Sequence, residues 1–176
     1  MNISEKLIIR NANTDEFAAI GQLMVDVYSR LEGFPKQDEQ PEYYNLLRNV
    51  GEFTKRPGTE LLVAVNEEDE LLGAVVFFTE MQYYGSGGTA TQEPNACGFR
   101  LLSVKPQAQG EGIGKRLTEE CIARAKSRNT AYLIIHTTKA MMTAWKMYEK
   151  MGFRRSFNLD FMQGELPVFG FRLKLT

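Results

Sequence analysis

Leu101-Leu102-Ser103-Val104-Lys105-Pro106-Gln107-Ala108-Gln109-Gly110-Glu111-Gly112-Ile113-Gly114-Lys115-Arg116 is the stretch that decides the fold of this chain. It reads as an apolar strand, a proline-punctuated turn, a glycine-spaced loop and the first turn of a helix. Gly110, Gly112 and Gly114 alternate, so the backbone there is bare and can take conformations closed to other residues. The N–H groups at the start of the helix have no partner inside it, and a helix start carries partial positive charge. Together these features make an anion site suited to phosphate. Lys115 and Arg116 fall in the first helical turn, where cations are ordinarily unfavourable. A bound polyphosphate reverses that penalty.

Outward from this stretch, Phe99 to Val104 forms the strand and Gly112 to about Arg128 the helix. Ile113, Leu117, Cys121 and Ala125 recur every four residues and make its core-facing stripe, with Cys121 an inert buried thiol. Tyr132 to Ile135 is a continuous apolar run, as expected of a strand covered on both faces. The unit from Phe99 to Ile135 is therefore expected to be a right-handed parallel crossover. A helix follows from about Lys139 to Met151, capped by Gly152. Phe153 to Leu159 and Phe169 to Leu175 read as a final strand pair, with the turn Met162 to Glu165 between them.

Toward the N-terminus, Leu7 to Arg10 is a short apolar strand. A helix starts at Thr14 or Asp15, with Phe17, Ile20, Met24, Val27 and Leu31 along one face, and stops at Gly33 and Pro35. Pro41 opens a second helix reaching about Phe53. Leu61 to Val65 and Leu71 to Thr79 read as an antiparallel hairpin around Asn66 to Glu70. Glu80 to Pro94 is a long glycine-containing loop. The order is β-α-α-β-β-β-α-β-α-β-β, an α/β fold with a central mixed sheet flanked by helices. At 176 residues, with no repeat and no linker, residues 1–176 are expected to form one domain.

A hydrophobic content of 43% and a charged content of 24% are those of a soluble globular chain. The net charge of -1 gives no general drive toward nucleic acid or an anionic membrane. With one histidine and two cysteines outside any CxxC pair, the sequence holds no zinc pattern, and no metal is expected. The acidic run Asn66 to Glu70 is a solvated turn. The first residues lack a signal-peptide pattern and no apolar run has the length of a membrane span. The expectation is a cytoplasmic protein, as monomer or homodimer.

Gln109-Gly110-Glu111-Gly112-Ile113-Gly114 matches the Q/R-x-x-G-x-G/A signature of the GCN5-related N-acetyltransferases, the GNAT superfamily. Ala144-Trp145-Lys146-Met147-Tyr148-Glu149-Lys150-Met151-Gly152-Phe153 resembles the second signature of that family, A-x-x-L-Y-x-K-x-G-F. The two motifs and the element order resemble the family over nearly the whole chain. The resemblance implies an acyl-CoA-dependent N-acetyltransferase with acetyl-CoA as co-substrate and an amine as acceptor. A nucleotide-binding protein of another fold is disfavoured, because the glycine run lacks the G-K-S/T of a P-loop and spaces its glycines too closely for G-x-G-x-x-G.

The resemblance also implies roles for residues. Backbone N–H groups from Gln109 through Gly110, Glu111, Gly112, Ile113 and Gly114 to Lys115 would cradle the coenzyme's pyrophosphate, with Arg116 beside them. Leu102, Ser103 and Val104 would pair with the pantetheine arm where the fourth and fifth strands splay. Tyr148 would act as general acid toward the departing thiolate; its reference pKa of about 10 keeps it protonated near neutrality. Two positions depart from the family pattern: Met141 stands where many members have Asn, and Gly98 where many have a basic Glu. Substitutes for the base are His136, Glu32, Asp38 and Glu80, although a strand-end histidine more often satisfies backbone groups. Cys97 is a bystander. The acceptor side falls on Tyr28, Glu32, Phe34, Tyr83 and Tyr84. The alternative function is a non-catalytic acyl-CoA sensor or scaffold of the same fold.

Overall fold

The computed structural model describes residues 6–176. Its strands are β1 (Ile8–Asn11), β2 (Thr59–Val65), β3 (Leu71–Phe78), β4 (Ala96–Val104), β5 (Tyr132–Thr137), β6 (Arg154–Arg155), β7 (Phe161–Gln163) and β8 (Leu166–Lys174). The α-helices are α1 (Phe17–Ser29), α2 (Pro41–Arg48), α3 (Ile113–Ser127) and α4 (Met142–Lys150). The sheet runs β1-β2-β3-β4-β5-β8-β6, with β7 paired to β8 beside it. Among these strands only β4 and β5 are parallel; the other pairs are antiparallel. Among the described residues, no helix is long and apolar enough to cross a membrane.

Two hydrophobic layers sandwich the sheet because side chains alternate along each strand. Leu61, Val63, Ala74, Val76 and Phe78 pack with Ile20, Met24 and Tyr28 of α1 and with Tyr44 and Leu47 of α2. On the opposite face, Leu62, Ala64, Val75 and Phe77 pack with Ile113, Leu117, Cys121 and Ala125 of α3. The four-residue stripe on α3 is thus its buried face.

Two irregularities mark β4. It pairs with β5 only over Ala96–Gly98 against Tyr132–Ile134, after which the two strands part. It also bulges against β3: Ala74 faces Ser103 and Val76 faces Arg100, so Leu101 and Leu102 share the single residue Val75. Leu101 sits at φ 62, a costly conformation for a branched side chain. The extra residue breaks the alternation of faces. Phe99 and Leu102 belong to the α3 layer, while Leu101 packs into the α1 layer and Arg100 lies against Phe53 and Tyr84 of that same layer.

The structure corrects several expected boundaries. β4 starts at Ala96, because Ala96 and Cys97 already pair with β5. The second helix ends at Arg48, and Val50–Lys55 continue as a 3-10 turn. The expected strand over 153–159 is reduced to β6, followed by a 3-10 turn at Phe157–Leu159. Asp160 accounts for this. Its carboxylate accepts two bonds from the Arg155 guanidinium, at 2.9 and 2.7 Å, and one from the Gly170 N–H at 2.7 Å. That clamp diverts the chain from the sheet, and it rejoins as β7, opposite β8 across the Gly164 turn.

Candidate functional site

A cavity of about 540 Å³ opens where β4 and β5 separate, and it divides into three zones. Gln109, Gly110, Gly112, Gly114 and Lys115 line one end. Leu102 and Val104 of β4 line the middle, with Met147 of α4. Tyr28 and Leu31, Arg100, His136 and Met141 line the other end. Tyr148 also reaches the wall.

The loop end owes its form to backbone angles. Gly110 and Gly112 have φ of 85 and 83, and a Cβ at either would meet nothing within 4 Å. Glycine is required there by conformation, not by space. The Gly112 carbonyl accepts from the Arg116 N–H at 3.0 Å. The N–H groups of Ile113, Gly114 and Lys115 therefore precede the first intrahelical bond, and no acidic residue occupies the first turn. Ser103, Glu111 and Arg116 do not line the cavity. Ser103 is buried and its hydroxyl donates to the Leu101 carbonyl at 3.3 Å. A second groove of about 450 Å³ adjoins the loop end and is lined by Lys115, Lys146 and Lys150 with Thr143, Met147 and Met151.

Tyr148 is gripped by Phe99 and Phe153, with ring centroids at 6.0 and 5.5 Å. Burial pushes its pKa far above the ordinary tyrosine value, so the phenol stays protonated. Phe99, Ala144 and Met147 line the cavity with it.

The acceptor residues read from sequence are not brought together. Tyr28 lines the cavity, but Phe34 is buried behind it, at 5.4 Å between centroids, in a cluster with Tyr43. Tyr83 and Tyr84 do not line it. The Tyr83 carbonyl accepts from Arg56 at 2.9 Å, and the Tyr84 ring is fully buried beneath β4. Glu32, Asp38 and Glu80 are exposed and lie off the cavity. His136 does line it, but both ring nitrogens are engaged. The Leu159 carbonyl, 2.8 Å from Nε2, can only accept, so Nε2 carries the hydrogen. Nδ1 then accepts from the Tyr84 hydroxyl at 3.0 Å. Burial brings the His136 pKa down to about 4, so the ring is neutral.

Gly98 lacks a carboxylate for a spatial reason as well: a Cβ there would stand 2.7 Å from Tyr84 Cε1 and 2.8 Å from Met81 Sδ. No Asp or Glu side chain lines the cavity among the described residues. Arg100 is the wall residue that the sequence reading passed over. Its signal was there: it is the one charged residue inside the apolar strand Ala96–Val104.

The family model of the acetyltransferase (GNAT) family matches residues 20–153. An N-acetylaspartate synthetase from Danio rerio is 36% identical over 64 residues, covering 36% of this chain and 23% of that protein. The chain spans between 23% and 33% of the length of the curated relatives it matches. A GNAT-family acetyltransferase from Staphylococcus aureus Mu50 superposes with a TM-score of 0.73 at 16% identity, over 97% of this chain and 99% of that one. A Salmonella typhimurium protein solved with its cofactor acetyl-CoA superposes with a TM-score of 0.66 at 15% identity, over 97% and 95% of the two chains. At these identities the structural likeness speaks to the fold.

Proposed function

The chain belongs to the GNAT acetyltransferase family, and we propose that it moves the acetyl group of acetyl-CoA to an amine nitrogen by direct attack, with Tyr148 protonating the departing thiolate. The observation that carries this reading is one continuous cavity joining the glycine loop at one end to Tyr148 and the Arg100 end at the other.

In this reading the N–H groups at the start of α3 hold the pyrophosphate, where the helix charge favours an anion. The groove of Lys115, Lys146 and Lys150 takes the phosphate on the coenzyme's nucleotide end. The pantetheine arm follows Leu102 and Val104 into the gap left where β5 stops pairing with β4. A backbone N–H of the segment Leu102–Val104 polarises the thioester carbonyl, and an aimed donor in a water-poor site stabilises the tetrahedral oxyanion.

The amine nitrogen forms a bond to the acetyl carbon as the carbon–sulfur bond breaks. Tyr148 supplies a proton to sulfur, giving CoA thiol. The phenolate left on Tyr148 is disfavoured by the burial that raises its pKa, so the step is complete only when Tyr148 takes back, through water, the proton that the amine gives up. The amine's own proton leaves through water. His136 keeps its Nδ1 lone pair on Tyr84, and no carboxylate reaches the wall among the described residues. The name of the Danio relative carries an N-acetylated amino compound, in keeping with an amine acceptor here.

Thermal melting with and without acetyl-CoA tests the coenzyme site: acetyl-CoA is expected to raise the Tm while ATP and NAD leave it unchanged. Thiol release over an amine panel tests catalysis. Tyr148→Phe is expected to lower kcat about 100-fold or more with the Tm shift by acetyl-CoA retained, in line with the contribution of a positioned acid. A Tyr148→Phe enzyme as fast as wild type removes Tyr148 from the mechanism.

A further inference from the structure

We propose that the acceptor is a small amine that also bears a carboxylate, and that Arg100 is the residue that docks it. This rests on the acetyl-transfer reading above and names the substrate class of the same site.

Arg100 lines the cavity from the last regular pair of β4, opposite Val76, just before the bulge. Its Nη1 donates to the Tyr84 carbonyl at 2.9 Å, and its guanidinium carbon lies 5.8 Å from the Phe53 ring and 5.7 Å from the Tyr84 ring. These contacts aim the group without neutralising it. Arg100 forms no ion pair among the described residues, although Arg10, Arg124, Arg155 and Arg172 all do. Nη1 is engaged with that carbonyl, and the guanidinium makes no other hydrogen bond among the described residues.

A second cation deepens the imbalance. Arg56 donates to the Tyr83 carbonyl at 2.9 Å and stacks over Phe53 at 4.4 Å, and it too has no ion pair among the described residues. The two guanidinium groups converge on Gly85, where a Cβ would meet Arg56 Nη1 at 2.6 Å and Arg100 Nη1 at 3.3 Å. Burial and the neighbouring Arg100 charge both lower the Arg56 pKa. Two adjacent cations without a counter-charge favour an incoming anion.

Among the described residues, the cavity wall contains Arg100 and Lys115 but no acidic side chain. A polyamine would bring a second positive charge into this field and be repelled. An amino carboxylate supplies the missing anion, and the planar fork of arginine matches a carboxylate. With the carboxylate held on Arg100, the amine end is directed along the cavity toward Tyr148. The transfer is R–NH2 plus CH3CO–S–CoA giving R–NH–COCH3 plus HS–CoA: nitrogen gains the acetyl carbon and loses one proton, and sulfur loses the carbon and gains one proton. The carboxylate takes no part in the bonds that change.

The test compares matched pairs in thiol release: glycine, β-alanine, aspartate and glutamate against their amides, with spermidine as a cationic probe. The free acids are expected to exceed the matched amides and spermidine at least tenfold in kcat/KM. Arg100→Met is expected to raise the acceptor KM about 10- to 100-fold, the loss of a charge-assisted contact, and to bring the acid-to-amide ratio near one. Its KM for acetyl-CoA stays at the wild-type value, and Arg100→Lys recovers part of the preference. Amides or spermidine used as well as the acids overturn the proposal, and so does an acid-to-amide ratio that survives Arg100→Met. If Arg100→Met does not fold, the wild-type ratio decides. If no amine releases thiol although acetyl-CoA raises the Tm, calorimetric binding of N-acetylglycine and its amide to the CoA-loaded protein decides, and equal affinity overturns the proposal. No Tm shift with acetyl-CoA would instead defeat the acetyl-transfer reading itself.

Discussion

The Tyr84 ring fills the space that a side chain at Gly98 would occupy, with Cε1 2.7 Å from the position of a Cβ. Tyr84 is fully buried, and its hydroxyl is tied to His136 Nδ1 at 3.0 Å. A glycine at this point of β4 is thus the counterpart of a tyrosine in the loop before it. Gly98→Ala is expected to cost about 1–3 kcal/mol, as overpacked cores do. In a Tyr84→Leu background the penalty shrinks, because the ring edge is gone. Denaturant unfolding of the four proteins in this cycle measures the coupling. An equal penalty in both backgrounds would show that the two residues do not share the space.

His136 gives stability a pH dependence. Its folded pKa of about 4 lies below the unfolded value of 6.5, so between those limits the unfolded chain binds the extra proton. Its contribution is fully present above pH 6.5 and is lost as pH falls toward 4, along a slope approaching about 1.4 kcal/mol per pH unit. It is the chain's one histidine, so the window from 6.5 to 5.5 belongs largely to this group. Unfolding free energies across that window are expected to slope in the wild type and flatten in His136→Asn. An unchanged slope in the variant would refute the assignment.

Gly112 and Gly114 share a motif but differ in what they require. Gly112 sits at φ 83, whereas a Cβ at Gly114 would meet Val104 Cγ2 at 3.7 Å, an ordinary contact. Gly112→Ala is expected to cost about 1–2 kcal/mol of backbone strain and to weaken acetyl-CoA binding by tilting the loop's N–H groups. Gly114→Ala stays near wild type in both respects. Isothermal titration with acetyl-CoA separates the two, and equal losses would contradict the conformational argument.

The motifs were legible because they are local. Glycine spacing, helix stripe and apolar strand each depend on neighbours along the chain, so the α3 stripe and the β4–α3–β5 crossover follow from Ile113, Leu117, Cys121 and Ala125 and from the run Tyr132 to Ile135. The far end of the cavity depends on long-range packing. Tyr84 carried the aromatic signal expected of a binding wall, yet Gly98 draws it into the core. Arg100 lines the cavity because β5 stops pairing with β4 after Gly98, and where two strands part depends on long-range pairing that leaves no mark in hydrophobic alternation. Asp160 breaks the expected strand after Phe153 through a bond to Gly170, a contact set by the fold.

The lysine groove beside the loop predicts how the coenzyme's phosphates are weighted. Lys146 and Lys150 line it with Lys115. Lys146→Gln and Lys150→Gln are each expected to raise the KM for acetyl-CoA about two- to fivefold, the scale of exposed charge pairs. Acetyl-dephospho-CoA, which lacks the ribose phosphate, should be insensitive to both changes. Equal effects on the two donors would move that phosphate out of the groove.

The pH dependence of the rate follows from the bare wall. With no carboxylate on the cavity wall among the described residues and His136 bonded on both nitrogens, the proposed amine acceptor is expected to arrive neutral and give its proton to water. An alkylamine with a pKa of about 10.4 is only about one part in a thousand or less neutral at pH 7. The kcat/KM for the acceptor is then expected to rise about tenfold per pH unit and to level off at the acceptor's own pKa. Two acceptors of different pKa should level off at two different pH values, and His136→Asn should leave both break points in place. Tyr148 introduces no break at high pH, since burial keeps its ionisation above the range in which the amines titrate. A plateau beginning near pH 6 to 7 for both acceptors would reveal a base on the protein and overturn the water route.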